Sequence, residues 1–138
     1  MKIAPKISLR EYRALAEVRH QIRRFLNFSE DAAREHGVEA RQHQLLLALA
    51  GLPEGALPTI GAAAERLQIE HHSAVELASR SAKAGLVARE ASQSDRRQVR
   101  LRITAKGKRI LERLSVSHRD ELRSAAPTLL RALEAIVA

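Results

Sequence analysis

The stretch from Asp95 to Gly107, reading DRRQVRLRITAKG, limits the folds open to this chain more than any other. Val99, Leu101 and Ile103 alternate with Arg100 and Arg102, and a period of two predicts a strand with one apolar and one basic face. Asp95-Arg96-Arg97 reads as a turn before it, and Thr104 as a helix start after it. Residues 86–91 predict a second strand, and the polar Ser92-Gln93-Ser94-Asp95 returns one strand to the other as a hairpin.

Helices flank the hairpin on both sides. Ser8 and Glu11 form a capping box, and Leu9, Tyr12, Leu15, Val18, Ile22, Phe25 and Leu26 follow at helical spacing until Gly37. A second helix is expected over 41–52, ended by Pro53-Glu54-Gly55. Thr59 is the expected N-cap of a short helix through Leu67, and after a break at 68–70 another helix is expected over 71–84, closed by Gly85. Two short helices joined by a tight turn fit a helix-turn-helix, and with the hairpin they make a winged helix. Beyond Thr104 a helical stripe is expected to about residue 125, with Pro127 opening a separate last helix.

The expected fold is mostly α with a small β-hairpin: a winged helix-turn-helix with N- and C-terminal dimerisation helices. The length of 138 residues suits a single domain with a real core. Within it the winged-helix lobe is expected over about 38–103, with dimerisation helices over about 8–36 and 104–138. The long first helix and the apolar last one expose more apolar surface than they can cover for each other, which predicts a homodimer.

The formal charge is +8, and residues 80–109 hold ten Lys/Arg against Glu90 and Asp95, leaving 14 basic and 14 acidic residues elsewhere. The net charge thus falls in one stretch, which predicts a polyanion partner, most simply double-stranded DNA. The chain has no cysteine, which excludes disulfides and thiolate metal sites. No apolar run approaches the length of a membrane span and no apolar leader follows the first Lys, so a soluble cytoplasmic protein is expected. The basic residues lie on a hairpin and a helix start, not on one amphipathic helix, which argues against membrane binding. No nucleophile-base pair, carboxylate cluster or phosphate-cradling loop marks an enzyme; Gly51 and Gly55 flank a loop without a following Lys-Ser/Thr.

Over its full length the chain resembles the MarR family of bacterial transcriptional regulators. The family's wing signature is met by Asp95, Arg97, Leu101, Ile103, Thr104 and Gly107. The segment leading to it is met by Ala64-Glu65-Arg66-Leu67 and Gly85-Leu86-Val87, with Arg89. The chain departs from the family at Ala63 and Ser81, where a large aliphatic residue is usual, and at Gln68, where the turn commonly has glycine. The resemblance implies a dimeric, sequence-specific DNA-binding regulator, most often a repressor; a non-specific architectural winged-helix protein is the alternative.

On the helix from His71, positions 74, 77, 78 and 81 share one side and are expected to face inward. His72, Ser73, Glu76 and Arg80 then face outward, flanked by His71, Val75 and Lys83. His72, Ser73 and Glu76 are the expected base readers, with Arg80 and Lys83 on phosphates. Glu76 reads equally as an intrahelical partner of Arg80. Arg97 is expected in a minor groove, held by Asp95 unless that residue only forms the turn, with Arg96 on the backbone and Thr59 at a phosphate-binding helix start.

Many MarR-family proteins release DNA when a small, often phenolic, anion binds between dimerisation helices and DNA-binding lobe. By that resemblance the candidate effector residues are Tyr12, His20, Arg23, Arg41, His43 and Gln44. Phe25 and Phe28 read better as dimer core than as a ligand cage. No histidine pair has the i,i+4 spacing of a helical metal site, and only the distant His20, His43 and His118 are left as candidates. No metal and no cofactor are expected.

Overall fold

The computed structural model describes residues 5–91 and 98–138. In chain order the elements are α1 (Leu9–Glu35), α2 (Ala40–Ala50), α3 (Ile60–Leu67), α4 (His71–Lys83), β1 (Val87–Ala91), β2 (Val99–Ile103) and α5 (Ala105–Val137). The chain divides into two compact units, one holding residues up to Asp31 together with Val116–Ala138, the other Ala32–Ser115. No helix among the described residues is long and apolar enough to cross a membrane.

Local chemistry sets most boundaries. The capping box at the start of α1 forms in both directions, with the Ser8 N–H on Glu11 Oε1 at 3.0 Å and the Glu11 N–H on Ser8 Oγ at 3.1 Å. The Ser8 backbone N–H, then its hydroxyl, hold the Glu11 carboxyl below the usual carboxylate range. Thr59 caps α3 by accepting the Ala62 N–H at 3.1 Å. Gly85, at φ 75°, supplies the left-handed residue that turns the chain from α4 toward β1. α2 begins one residue earlier than expected and ends two earlier, because Gln42 Oε1 accepts the Glu39 N–H and Gly51 N–H closes on Leu47 O.

The 32–115 unit carries the larger core. Leu45 and Leu46 from α2, Ala63 from α3, Leu77 and Ala78 from α4, Leu86, Leu101 and Leu114 are each 3 % exposed or less. Burial at roughly 25 cal/mol per Å² of apolar surface makes this cluster the main source of the unit's stability. The start of α5 belongs to this unit because Leu111 and Leu114 reach its core. Gly107 permits that approach: a Cβ built there would meet the Leu86 carbonyl oxygen at 2.3 Å.

The hairpin pairs antiparallel with Val87 opposite Ile103 and Ala91 opposite Val99. It also has a neighbour that the sequence pattern does not suggest. The Leu101 N–H donates to Pro58 O at 2.7 Å and Thr59 forms an isolated antiparallel bridge with Arg100, so the loop before α3 lines the free edge of β2. Arg102 is exposed as the alternation predicts, whereas Arg100 is only half-buried rather than outward, because that loop runs alongside it.

In the other unit the buried residues are Ala14, Gln21, Ser29, His118 and Ala132. Phe25 and Phe28 set their edges against the His118 ring at centroid distances of 5.7 and 5.3 Å, and Ser29 Oγ lies 2.8 Å from its Nε2. The expectation of two helices after Thr104 is overturned. α5 is one 33-residue helix with Pro127 inside it. Proline removes a single N–H and crowds the carbonyl of Arg123, but Ser124-Ala125-Ala126 and Thr128-Leu129-Leu130 sustain the helix on either side.

Candidate nucleic-acid interface

α4 divides its two faces as the spacing requires. Ala74, Leu77, Ala78 and Ser81 are all 2 % exposed or less, and they fix the opposite face outward. On that face His72 and Glu76 are exposed and Ser73 is half-buried. His72 Nδ1 lies 3.4 Å from Glu70 Oε2, a pair open to solvent on both sides. The turn before α4 places Gln68 at φ 54°, ψ 46°, so glutamine holds the left-handed position that glycine usually takes. Its side chain compensates, Nε2 donating to Glu65 O at 2.7 Å, while the Ile69 N–H closes on Ala64 O.

Arg80 has a partner, and it is not Glu76. Its Nε donates to Glu39 Oε2 at 3.2 Å, joining α4 to the residue that precedes α2. Arg102 Nε likewise donates to Glu90 Oε1 at 2.6 Å across the hairpin. Both pairs are exposed and therefore weak and exchangeable. Lys83 is exposed in the last turn of α4, and Lys106 Nζ donates to Ala84 O at 2.8 Å just beyond it.

Thr59 and His71 come together. With Ile60, Gly61, Val75, Arg89, Gln98 and Val99 they line a cavity of about 350 Å³ between the start of α3, α4 and the hairpin. Arg89 was not expected in the site; its guanidinium reaches α4, donating to Ser79 Oγ at 2.5 Å and Val75 O at 3.4 Å. The signal that marks it is an arginine at a strand position whose neighbours on the same face are Val87 and Leu101. Arg96 and Arg97, with Asp95, lie outside the described residues.

The effector candidates are divided between the units. Tyr12, His20 and Arg23 are exposed on α1 in one; Arg41, His43 and Gln44 are on α2 in the other. His43 is buried at 3 %, and Gln44 lines a cavity of about 410 Å³ with Leu47, Ala48, Gly51, Arg66 and Leu67. Among the described residues no group of three or more His, Cys, Asp or Glu is placed to hold a metal ion.

Helix-turn-helix, hairpin and flanking helices define a winged-helix protein. The family model described as MarR family matches residues 36–98, from the end of α1 to the start of β2. AbsC, a MarR family transcriptional regulator from Streptomyces coelicolor, is similar in structure with a TM-score of 0.74 at 20 % identity, over 88 % of this chain and 82 % of that one. A complex of S. aureus MepR with DNA gives 0.65 at 18 % over 80 % and 79 %. The M. tuberculosis transcriptional regulator MOSR in complex with DNA gives 0.63 at 23 % over 84 % and 86 %. No curated protein matches the chain. Over the matched segment and in its fold, the chain is similar to MarR family transcription regulators.

Proposed function

We propose that the chain is a sequence-specific transcriptional regulator, acting as a repressor, that binds double-stranded DNA as a homodimer. α4 enters the major groove with His72, Ser73 and Glu76 at base edges, and Lys83, Thr59 and a displaced Arg80 hold phosphates. The hairpin reaches an adjacent minor groove with Arg97, with Arg96 on the backbone. One observation carries this reading: α4 buries Ala74, Leu77, Ala78 and Ser81 and so must present a polar face beside a basic hairpin. The DNA-bound relatives support it.

The homodimer is supported by the apolar surface left on the unit that holds most of α1 and the end of α5. Tyr12, Leu15, Ile22, Leu26, Leu130 and Ile136 are 41 to 60 % exposed, far more than a lone soluble helix pair needs to show. Two-fold symmetry then sets the half-sites about one helical turn apart, in a pseudo-palindromic operator. Release by a small ligand completes the regulatory cycle.

The test is a gel-shift titration on DNA upstream of the chain's own gene and on random duplex, at physiological salt. Preference for the upstream DNA by a factor of about 10³ or more is expected. Equal affinity for the two duplexes sinks the specific reading in favour of a non-specific architectural role. Adding aromatic acids to the preformed complex tests release.

A further inference from the structure

Arg89 holds a strand position that alternation gives to apolar side chains. It pairs in register with Leu101, and Val87 and Leu101 on the same face are each 3 % exposed. The arginine does not fill the space in front of it. That space is the cavity of about 350 Å³ bounded by His71 and Val75 of α4 on one side and by Gln98 and Val99 on the other. Apolar packing therefore does not set the separation of α4 from the hairpin at this end. What crosses it is the guanidinium, with Nη2 on Ser79 Oγ and, at longer range, on Val75 O. Both acceptors lie within one turn of Glu76 on α4, and charged donors make such hydrogen bonds stronger than neutral ones.

We propose that Arg89 is a positioning residue for DNA recognition: tied to Ser79 and Val75, it fixes the base-reading face of α4 relative to the hairpin, so that both engage one duplex. The inference rests on the DNA-binding reading above. A groove-reading helix loses discrimination before it loses backbone affinity when its orientation slackens, because base contacts depend on direction and phosphate contacts much less. A direct phosphate contact from Arg89 predicts the opposite pattern, a uniform loss on every sequence.

The test uses an operator selected from random duplexes by the native protein, and compares operator and random duplex over a range of salt. Ser79→Ala removes the acceptor without altering charge. It is expected to lower the ratio of operator to random affinity roughly five- to tenfold, with random-duplex affinity and salt slope unchanged. Arg89→Leu gives a larger loss of the same ratio, Arg89→Lys recovers part of it, and adding Ser79→Ala to Arg89→Leu costs nothing further. Where Arg89→Leu does not fold, Ser79→Ala and Arg89→Lys carry the test. An unchanged ratio overturns the proposal. So does an equal loss on both duplexes, whether with a salt slope reduced by about one, the mark of a phosphate contact, or with a lowered melting temperature, the mark of a purely structural role. A native protein that selects no operator overturns the regulator reading and this inference with it, and that result is seen before any variant is made.

Discussion

Thr104 and Gly85 are joined by a hydrogen bond of 2.6 Å, from the threonine Oγ1 to the glycine carbonyl. The same oxygen accepts the Gly107 N–H at 3.1 Å, so one hydroxyl starts α5 and anchors the exit from α4. The Thr104 N–H completes the junction on Leu86 O at 3.1 Å. The two ends that this side chain joins are 19 positions apart in the chain, with the whole hairpin between them.

Thr104→Val keeps the shape and removes the hydroxyl, leaving a half-buried carbonyl and a half-buried N–H without their partner. A loss of about 2 kcal/mol in unfolding free energy is expected, read from the urea midpoint. Thr104→Ser retains both bonds and loses much less. A valine variant as stable as the native chain would remove the junction from the list of determinants.

Gln68 is the one described residue other than glycine at positive φ. The left-handed conformation costs a residue with a Cβ roughly 1–2 kcal/mol, only partly offset by its side-chain bond to Glu65 O. Gln68→Gly is therefore expected to stabilise by about 0.5–1 kcal/mol, and Gln68→Val to destabilise by at least as much. Urea titrations of the two variants in opposite directions check this, and shifts of the same sign refute it.

Ser81 Oγ is buried and has no hydrogen-bond partner among the described residues. Ser81→Ala should then raise stability by about 1 kcal/mol, since an unsatisfied hydroxyl is removed and little volume is lost. A fall in the denaturation midpoint instead shows that the hydroxyl has a partner in solution, such as a water.

The parts of this fold that were legible in the sequence are those decided locally. Ser8 with Glu11, Thr59 at the start of α3, Gly85 after α4 and the inward quartet of Ala74, Leu77, Ala78 and Ser81 depend on residues within two turns of each other. What was not legible depends on contacts far along the chain. Arg80 meets Glu39 from 41 residues away, Leu101 meets Pro58, and Arg89 meets Ser79 across a strand boundary. Counting the charge of residues 80–109 in isolation leaves out Glu39, which comes from outside the stretch and neutralises one of its arginines.

Pro127 failed as a boundary marker for a different reason. Its local preference for a first turn is outweighed by cooperative helix on both sides, at a cost of up to about 3 kcal/mol. Pro127→Ala restores the missing N–H to the exposed side of α5, and a rise of about 1–3 kcal/mol in unfolding free energy follows. Circular dichroism through a thermal melt measures it; no change in melting temperature would mean that the helix is interrupted at this point in solution.

In the proposed complex, Glu39 competes with a DNA phosphate for Arg80. The Glu39–Arg80 pair is exposed, so its own contribution to stability is no more than about 1 kcal/mol, and it has to be broken before the arginine can turn to a backbone oxygen. Glu39→Gln removes that competition and one negative charge near the proposed interface. The expected result is tighter binding on operator and random duplex alike, by roughly two- to fivefold at low salt, with the gain shrinking as salt rises. Arg80→Gln should abolish the gain when combined with Glu39→Gln, because the effect passes through that side chain. Fluorescence anisotropy at two salt concentrations decides it: equal affinity for the native chain and Glu39→Gln places Arg80 away from the phosphates.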